Sequence, residues 1–293
     1  MIRRVLALRT GRVAVAILLV IAVLAIFGSV LAPDNPLTNS AHQLAPVSGQ
    51  HWIGTDYVGR DTLSRLLAGS RASVTGALEV GIIALFVGAI PGILSVYLGR
   101  AFEWLTLRLV DTLISLPFLL VAVAVTALLG NGITQALLVV GVLLAPAFYR
   151  VSRAAALSTA RSQYVEAAQI AGASPFWVVR RHVWSKVLPP ISVSLAQTIG
   201  AGFVVVSSLT FLGIGVQPPA PTWGGMLSSD LSYLTQQPWA PVAPAVLIIA
   251  TVLACNLLAD AIRDVSGQAG LALFRTRTTR RRRPALPAPQ GGA

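Results

Sequence analysis

A chain of 293 residues in which 55% of positions are hydrophobic and only 11% charged cannot hide its apolar side chains in one soluble core, since soluble domains carry about 25% charged residues. The formal net charge of +12 invites a nucleic-acid reading. The basic residues instead fall in short clusters between long apolar runs, with no basic stripe interleaved with aromatics, so the partner implied is the lipid bilayer and not nucleic acid.

Six runs approach the about 20 apolar residues that a membrane span needs: 13–32, 76–98, 109–129, 133–149, 191–216 and 242–259. Residues 1–12, with Arg3, Arg4, Arg9 and Arg12, precede the first run. That run exceeds the 7–15 residues of a cleaved signal's apolar region, so it reads as an uncleaved anchor. Residues 33–75 form an external segment, and residues 76–265 read as a five-helix core. Glu79 near the outer end of the second run and Asp111 near the inner end of the third are interfacial, not midplane, so no proton or ion relay is implied. Gly130-Asn131-Gly132 between the third and fourth runs predicts an antiparallel hairpin. The stretch 266–293, rich in arginine and ending in prolines, reads as a disordered cytoplasmic tail.

Basic residues orient the spans. With the N-terminus inside, segments 1–12, 99–108, 150–190 and 260–293 are cytoplasmic and hold every Arg and Lys except Arg60, Arg65 and Arg71. The expectation is an all-α, multi-pass cell-membrane protein of six transmembrane helices with both termini in the cytoplasm.

The cytoplasmic loop 150–190 is too long for a turn. A helix over about 154–171 should stop at Gly172, a natural C-cap residue. Ser174 is then placed to cap a second helix over about 175–184, with Pro175 at its first position. Phe176, Val179 and Val183 share one face of it at i, i+3, i+7 spacing, beside Arg180 and Arg181. Leu188-Pro189-Pro190 should end it. Such a helix can lie on lipid, pack under its own bundle, or fill a groove on a partner.

Glu166-Ala167-Ala168, then Gly172 and the downstream Leu188-Pro189, resemble the EAA loop of ABC importer permeases. The stretch Trp52–Asp61 with Ser64-Arg65 and Gly69-Ser70-Arg71 resembles the external segment of the dipeptide/oligopeptide/nickel permease family. Residues 209–219 with Thr222-Trp223-Gly224, and Asn256 to Asp264 near the last span, fit the same family and its second, C-type permease in particular. Two positions depart: Trp184-Ser185 stands where Leu-Pro often follows the coupling helix, and Val206 where a Glu is common.

The resemblance implies a type I ABC importer permease fold and a division of labour. A homologous second permease would complete the pathway, two cytoplasmic ATPase subunits or domains would carry ATP and Mg, and an extracellular or periplasmic solute-binding protein would deliver peptides. Nickel or another small polar solute is the alternative cargo. Glu166, Ala167, Gly172, Ser174, Phe176, Val179, Arg180 and Val183 would couple to the ATPases. Thr55, Asp56, Arg60, Asp61 and Arg65 would lie near the binding protein, or their segment would fold as a lid onto its own bundle. The chain itself would bind no cofactor. Consistently, its single lysine, Lys186, is followed by Val187 and does not close a phosphate-binding Gly-rich loop.

Rival classes fare worse. An intramembrane enzyme needs a nucleophile with a base at similar depth, and Ser207 and Ser208 have no His or Asp at similar depth in a neighbouring run. An ion-coupled transporter would need midplane carboxylates. His42, His51 and His182 lack nearby Cys, Asp or Glu at metal-ligand spacing, so no metal site is expected.

Overall fold

The structure, a computed structural model, describes residues 2–130 and 132–279. Eleven α-helices are described: α1 (Ile2–Val5), α2 (Arg9–Leu31), α3 (Thr62–Leu94), α4 (Arg100–Ser115), α5 (Phe118–Leu128), α6 (Ile133–Ala160), α7 (Gln163–Ile170), α8 (Pro175–Val178), α9 (Trp184–Phe211), α10 (Trp223–Leu231) and α11 (Val242–Thr279), with a π turn over Val179–Val183.

Five helical stretches are long and apolar enough to cross a membrane, and the pair α4 and α5, bent by 99°, supplies a sixth candidate. The straight third span expected from the sequence is thus corrected. Pro117 has no N–H for the helix and pushes the residue before it out of the α region. Leu116 accordingly sits at φ −81, ψ 140, and the run breaks there.

Three further expectations are corrected. α3 starts at Thr62, well before the second span expected from residue 76, because the Asp61 carboxylate accepts from the Ser64 N–H and caps it. The coupling segment does not end at Pro189-Pro190, which lie inside α9. The carbonyls those prolines leave without a helical donor belong to Ser185 and Lys186, both exposed, where solvent can satisfy them. The last span runs on to Thr279, with no proline between Pro244 and that point to stop it. The remaining arginines of the expected tail, from Arg280, lie outside the described residues.

α3 is the central helix, packed on α2, α6 and α9. A Cβ on Gly88 would sit 2.7 Å from Phe148 Cβ, and one on Gly92 would sit 2.7 Å from the Tyr149 carbonyl. These two glycines let α3 and α6 touch backbone to backbone, as membrane bundles require in the absence of a hydrophobic drive between helices. Val5 packs with Ala261 and Val265, and Val193 and Ala196 with Ala259. The start of the chain, the start of α9 and the second half of α11 therefore share one end of the bundle. At the other end, Gly132 pairs with Gly215 and Arg65 donates to the Pro219 carbonyl at 3.3 Å.

Candidate functional site

At the first end, the chain between α6 and α9 builds a knob with two unlike faces. α7 stops because Gly172 takes φ +88. The Ala173 N–H then reaches back to the Ala168 carbonyl at 3.0 Å, the 6→1 bond of a Schellman cap. Ser174 Oγ accepts from the Trp177 N–H at 3.3 Å and restarts the helix, as its position predicts. From α8 the backbone continues through the π turn into α9, so residues 176–211 form one 36-residue apolar helical stretch, roughly 54 Å long at 1.5 Å per residue.

The inner face of the knob is welded to the bundle. Val165, Val178, Val183 and Val187 are fully buried in one cluster with Ala84, Ile93, Phe148 and Ala156, and half-buried Val179 packs on its edge. The outer face is bare: Ile170 is 83% exposed, Phe176 75% and Trp177 47%. Glu166, Ala167, Ser174 and Arg180 are exposed as well. His182 sits between Tyr164 and Trp177, with ring centroids 5.4 and 5.2 Å away, as a packing residue.

The shared face of Phe176, Val179 and Val183 therefore splits. Phe176 points outward, whereas Val183 is buried in the chain's own core and offers a partner nothing to touch. Helical spacing alone missed this, because the π turn shifts the register after Val178. The long exposed side chains of Ile170 and Trp177 were missed too. Their signal was the large apolar residues on either side of the Gly172–Ser174 break, Ile170 before it and Phe176-Trp177 after it.

At the other end, the five external residues singled out by sequence are all buried. Thr55 Oγ1 donates to the His42 carbonyl at 2.5 Å and accepts from the Ala45 N–H at 2.8 Å. Asp56 accepts from the Arg60 and Val58 N–H groups and from Arg60 Nε at 2.7 Å, with Arg65 Nε at 3.4 Å. Asp61 accepts from the Ser64 N–H and hydroxyl and meets His51 Nδ1 at 3.0 Å. Arg65 also donates to the Pro36 carbonyl at 3.1 Å. These residues tie the external segment to its own bundle, and their side chains do not face outward for a docking protein.

Beside this knot is a cavity of about 250 Å³ lined by Tyr57, Arg60, Arg65, Thr222, Ser229 and Ser232 among others. Tyr57 stacks on Tyr233 at 5.4 Å. Asp230, on α10 outside the candidate spans, is buried with Oδ2 unpartnered. Burial and then Asp56 push its carboxyl up to about 6, against the opposing pull of Arg65 and the Ser229 hydrogen bond. Within the bundle, a second, apolar cavity of about 440 Å³ is lined by Gly88, Pro91, Val110, Leu113, Pro146 and Tyr149 among others.

Comparison with known proteins agrees with this layout. Residues 81–269 match the family described as "Binding-protein-dependent transport system inner membrane component". The "Probable D,D-dipeptide transport system permease protein DdpC" of Escherichia coli (strain K12) is 34% identical over 250 residues, covering 85% of this chain and 84% of the relative. The "Glutathione transport system permease protein GsiD" of Escherichia coli O1:K1 / APEC is 36% identical over 253 residues, covering 84% and 82%. In fold, the chain aligns with an inward-facing MetNI methionine ABC transporter at a TM-score of 0.57 and 20% identity, over 69% of this chain and 96% of that one. These relatives are named as transport permeases and not as enzymes, and the chain belongs to the family of binding-protein-dependent transport system inner membrane components.

Proposed function

We propose that this chain is one of two permeases in a peptide importer, forming with a homologous partner the path for di- or oligopeptides handed over by a solute-binding protein. The dipeptide and glutathione permeases among its relatives support peptide as the cargo. Two ATPase subunits would dock on the cytoplasmic side and hydrolyse ATP with Mg. Both termini and the α7–α8 knob face the cytoplasm, a reading supported by the distribution of arginines.

The observation that carries the reading is the two-faced knob. Large apolar side chains exposed on a short helix fit a groove on a partner. A fully buried inner face lets the knob move only as one body with the bundle. When the ATPases close, a push on Phe176 would travel along the helix to Phe211, beside the outer cavity. That is a rigid-body transmission, which discrete packed helices allow. Glu166 and Gly172 would set the angle at which the knob is held.

The test is to tag the chain, purify it from its native membrane, identify its companions and reconstitute the complex in liposomes. The expected result is a second permease with ATPase subunits, and ATP-dependent uptake of labelled dipeptide. A stable homodimer without ATPase would refute the importer reading. Uptake of nickel or another solute with no response to peptides would keep the machinery and overturn the cargo. Orientation is tested separately: in a Cys255→Ser background, a cysteine replacing exposed Trp52 should react with an impermeant thiol reagent from outside only.

A further inference from the structure

The external end also holds a cluster that the transport reading does not use. Asp34, His51 and Asp61 are distant in sequence, yet one ligand atom from each lies within 4.8 Å of the others. His51 Nδ1 and Asp61 Oδ1 are 3.0 Å apart. Ligand atoms bound at about 2.0–2.2 Å to a common metal ion are spaced about 3.0–3.5 Å from one another. The His51–Asp61 pair already has that spacing. Asp34 is exposed, and a side-chain rotation of its free carboxylate can close the remaining gap.

Charge argues the same way. Among the described residues, neither Asp34 nor Asp61 forms an ion pair with an Arg or Lys; the nearby Arg60 and Arg65 are taken by Asp56. Two carboxylates and one imidazole thus bring their ligand atoms within 4.8 Å of one another, and like charges so close favour a cation between them. The Asp61 carboxylate is held from behind, as a ligand of a metal usually is, and the backbones of Asp34 and His51 are anchored beside it. The Ser64 hydroxyl donates to Asp61 Oδ2 at 2.6 Å and accepts the Asp34 N–H at 3.0 Å. The His51 backbone N–H donates to Ser48 Oγ at 3.1 Å.

We propose that Asp34, His51 and Asp61 bind one divalent first-row metal ion on the outer face. One nitrogen and two carboxylate oxygens, with remaining positions open to water, suit a borderline ion such as Zn²⁺ better than the hard, all-oxygen Mg²⁺. The three ligands come from the chain just after α2, the loop 48–54 and the N-cap of α3. The ion would staple the outer end of the first span to the core, adding to the bonds that already join the Asp34 N–H to Ser64 Oγ and Arg65 to the Pro36 carbonyl.

The test uses the full chain in lipid nanodiscs, stripped with EDTA and titrated with Zn²⁺, Mn²⁺ and Mg²⁺ chlorides, reading bound metal after gel filtration and Tm. Zn²⁺ should be retained at one ion per chain and raise Tm, reversibly with EDTA, while Mg²⁺ does neither. His51→Ala and Asp34→Asn should each weaken Zn²⁺ binding at least tenfold; His42→Ala, which removes the other external histidine, should not. Asp34→Asn keeps the backbone bond to Ser64, so an unchanged metal-free Tm certifies that its fold survives. Zn²⁺ retention equal in wild type, Asp34→Asn and His51→Ala, or lost with His42→Ala alone, would overturn the proposal. So would failure of the wild-type chain to retain any of the three ions. None of these readouts depends on transport.

Discussion

The two ends of the bundle handle their polar and apolar groups in opposite ways. The outer end buries Asp56, Arg60 and Arg65 and satisfies them with each other and with backbone groups, and it uses buried Asp61 to cap α3. The inner end leaves Ile170, Phe176 and Trp177 bare to the surroundings while its valines are sealed in the core. An end whose charges are internally paired is finished by the chain itself. An end that exposes bulky apolar side chains on a rigid helix is finished by something else. Substitutions at the outer end should therefore read out as stability, and those on the outer face of the knob as function.

The largest effect should come from Asp56→Ala. It strips the shared partner from Arg60 and Arg65, both buried, and breaking a buried pair from one side costs about 3–5 kcal/mol. Membrane abundance and Tm in detergent should fall sharply, whatever the solute. An unchanged Tm would mean that the outer knot does not hold the external segment.

Asp230→Asn should move stability the other way. A carboxyl pushed up to about 6 in the fold against about 3.9 unfolded binds its proton more tightly when folded. Between about pH 4 and pH 6 the fold therefore takes up the extra proton, and stability falls as pH rises through that window. Above it the full penalty of the charged, half-partnered carboxylate remains, at most about 3 kcal/mol at 1.36 kcal/mol per unit. The variant should raise Tm at pH 7.5 and lose that advantage by pH 4. A gain that persists at pH 4 would show that charge is not the cause.

At the inner end, Val183→Ala removes two buried methyl groups and should cost about 2 kcal/mol, read as Tm. Gly172→Val should cost about 1–2 kcal/mol, because φ +88 disfavours a β-branched residue even though no atom lies within 4 Å of the added Cβ. Its damage should be larger in uptake than in Tm, since a changed backbone at residue 172 re-aims the exposed Ile170 at the end of α7 relative to Phe176 and Trp177.

How much of this was legible beforehand follows from what a linear pattern contains. The six apolar runs and the basic clusters marked the spans, because lipid demands length and the inside demands charge. Gly172 and Ser174 were readable because cap residues act through local geometry. The split between Phe176 and Val183 was not, since a π turn is set by packing around it. The charged run from Asp56 to Arg65 read equally as a docking surface and as a lid folded onto its own bundle. Only the fold reveals that Asp56 faces two arginines, and that Asp34 and His51 converge on Asp61 across 10 to 30 positions of chain.

The smallest expected stability effect carries the most functional weight. Phe176 is mostly exposed and makes no contribution to the core cluster beneath it. Phe176→Ala should shift unfolding by no more than about 0.5 kcal/mol, as surface changes usually do. If the knob seats in an ATPase groove, the same change removes a large apolar anchor from an interface, where central aromatics can each be worth about 2 kcal/mol or more. Uptake should then collapse at matched membrane abundance, and the ATPase subunits should wash off more easily during purification. Val183→Ala is the contrasting case: it should lower Tm while leaving ATPase retention near normal in the protein that remains folded. Equal uptake from Phe176→Ala and wild type would show that the bare face is not where the ATPases push, and the comparison between the two ends would lose its functional meaning.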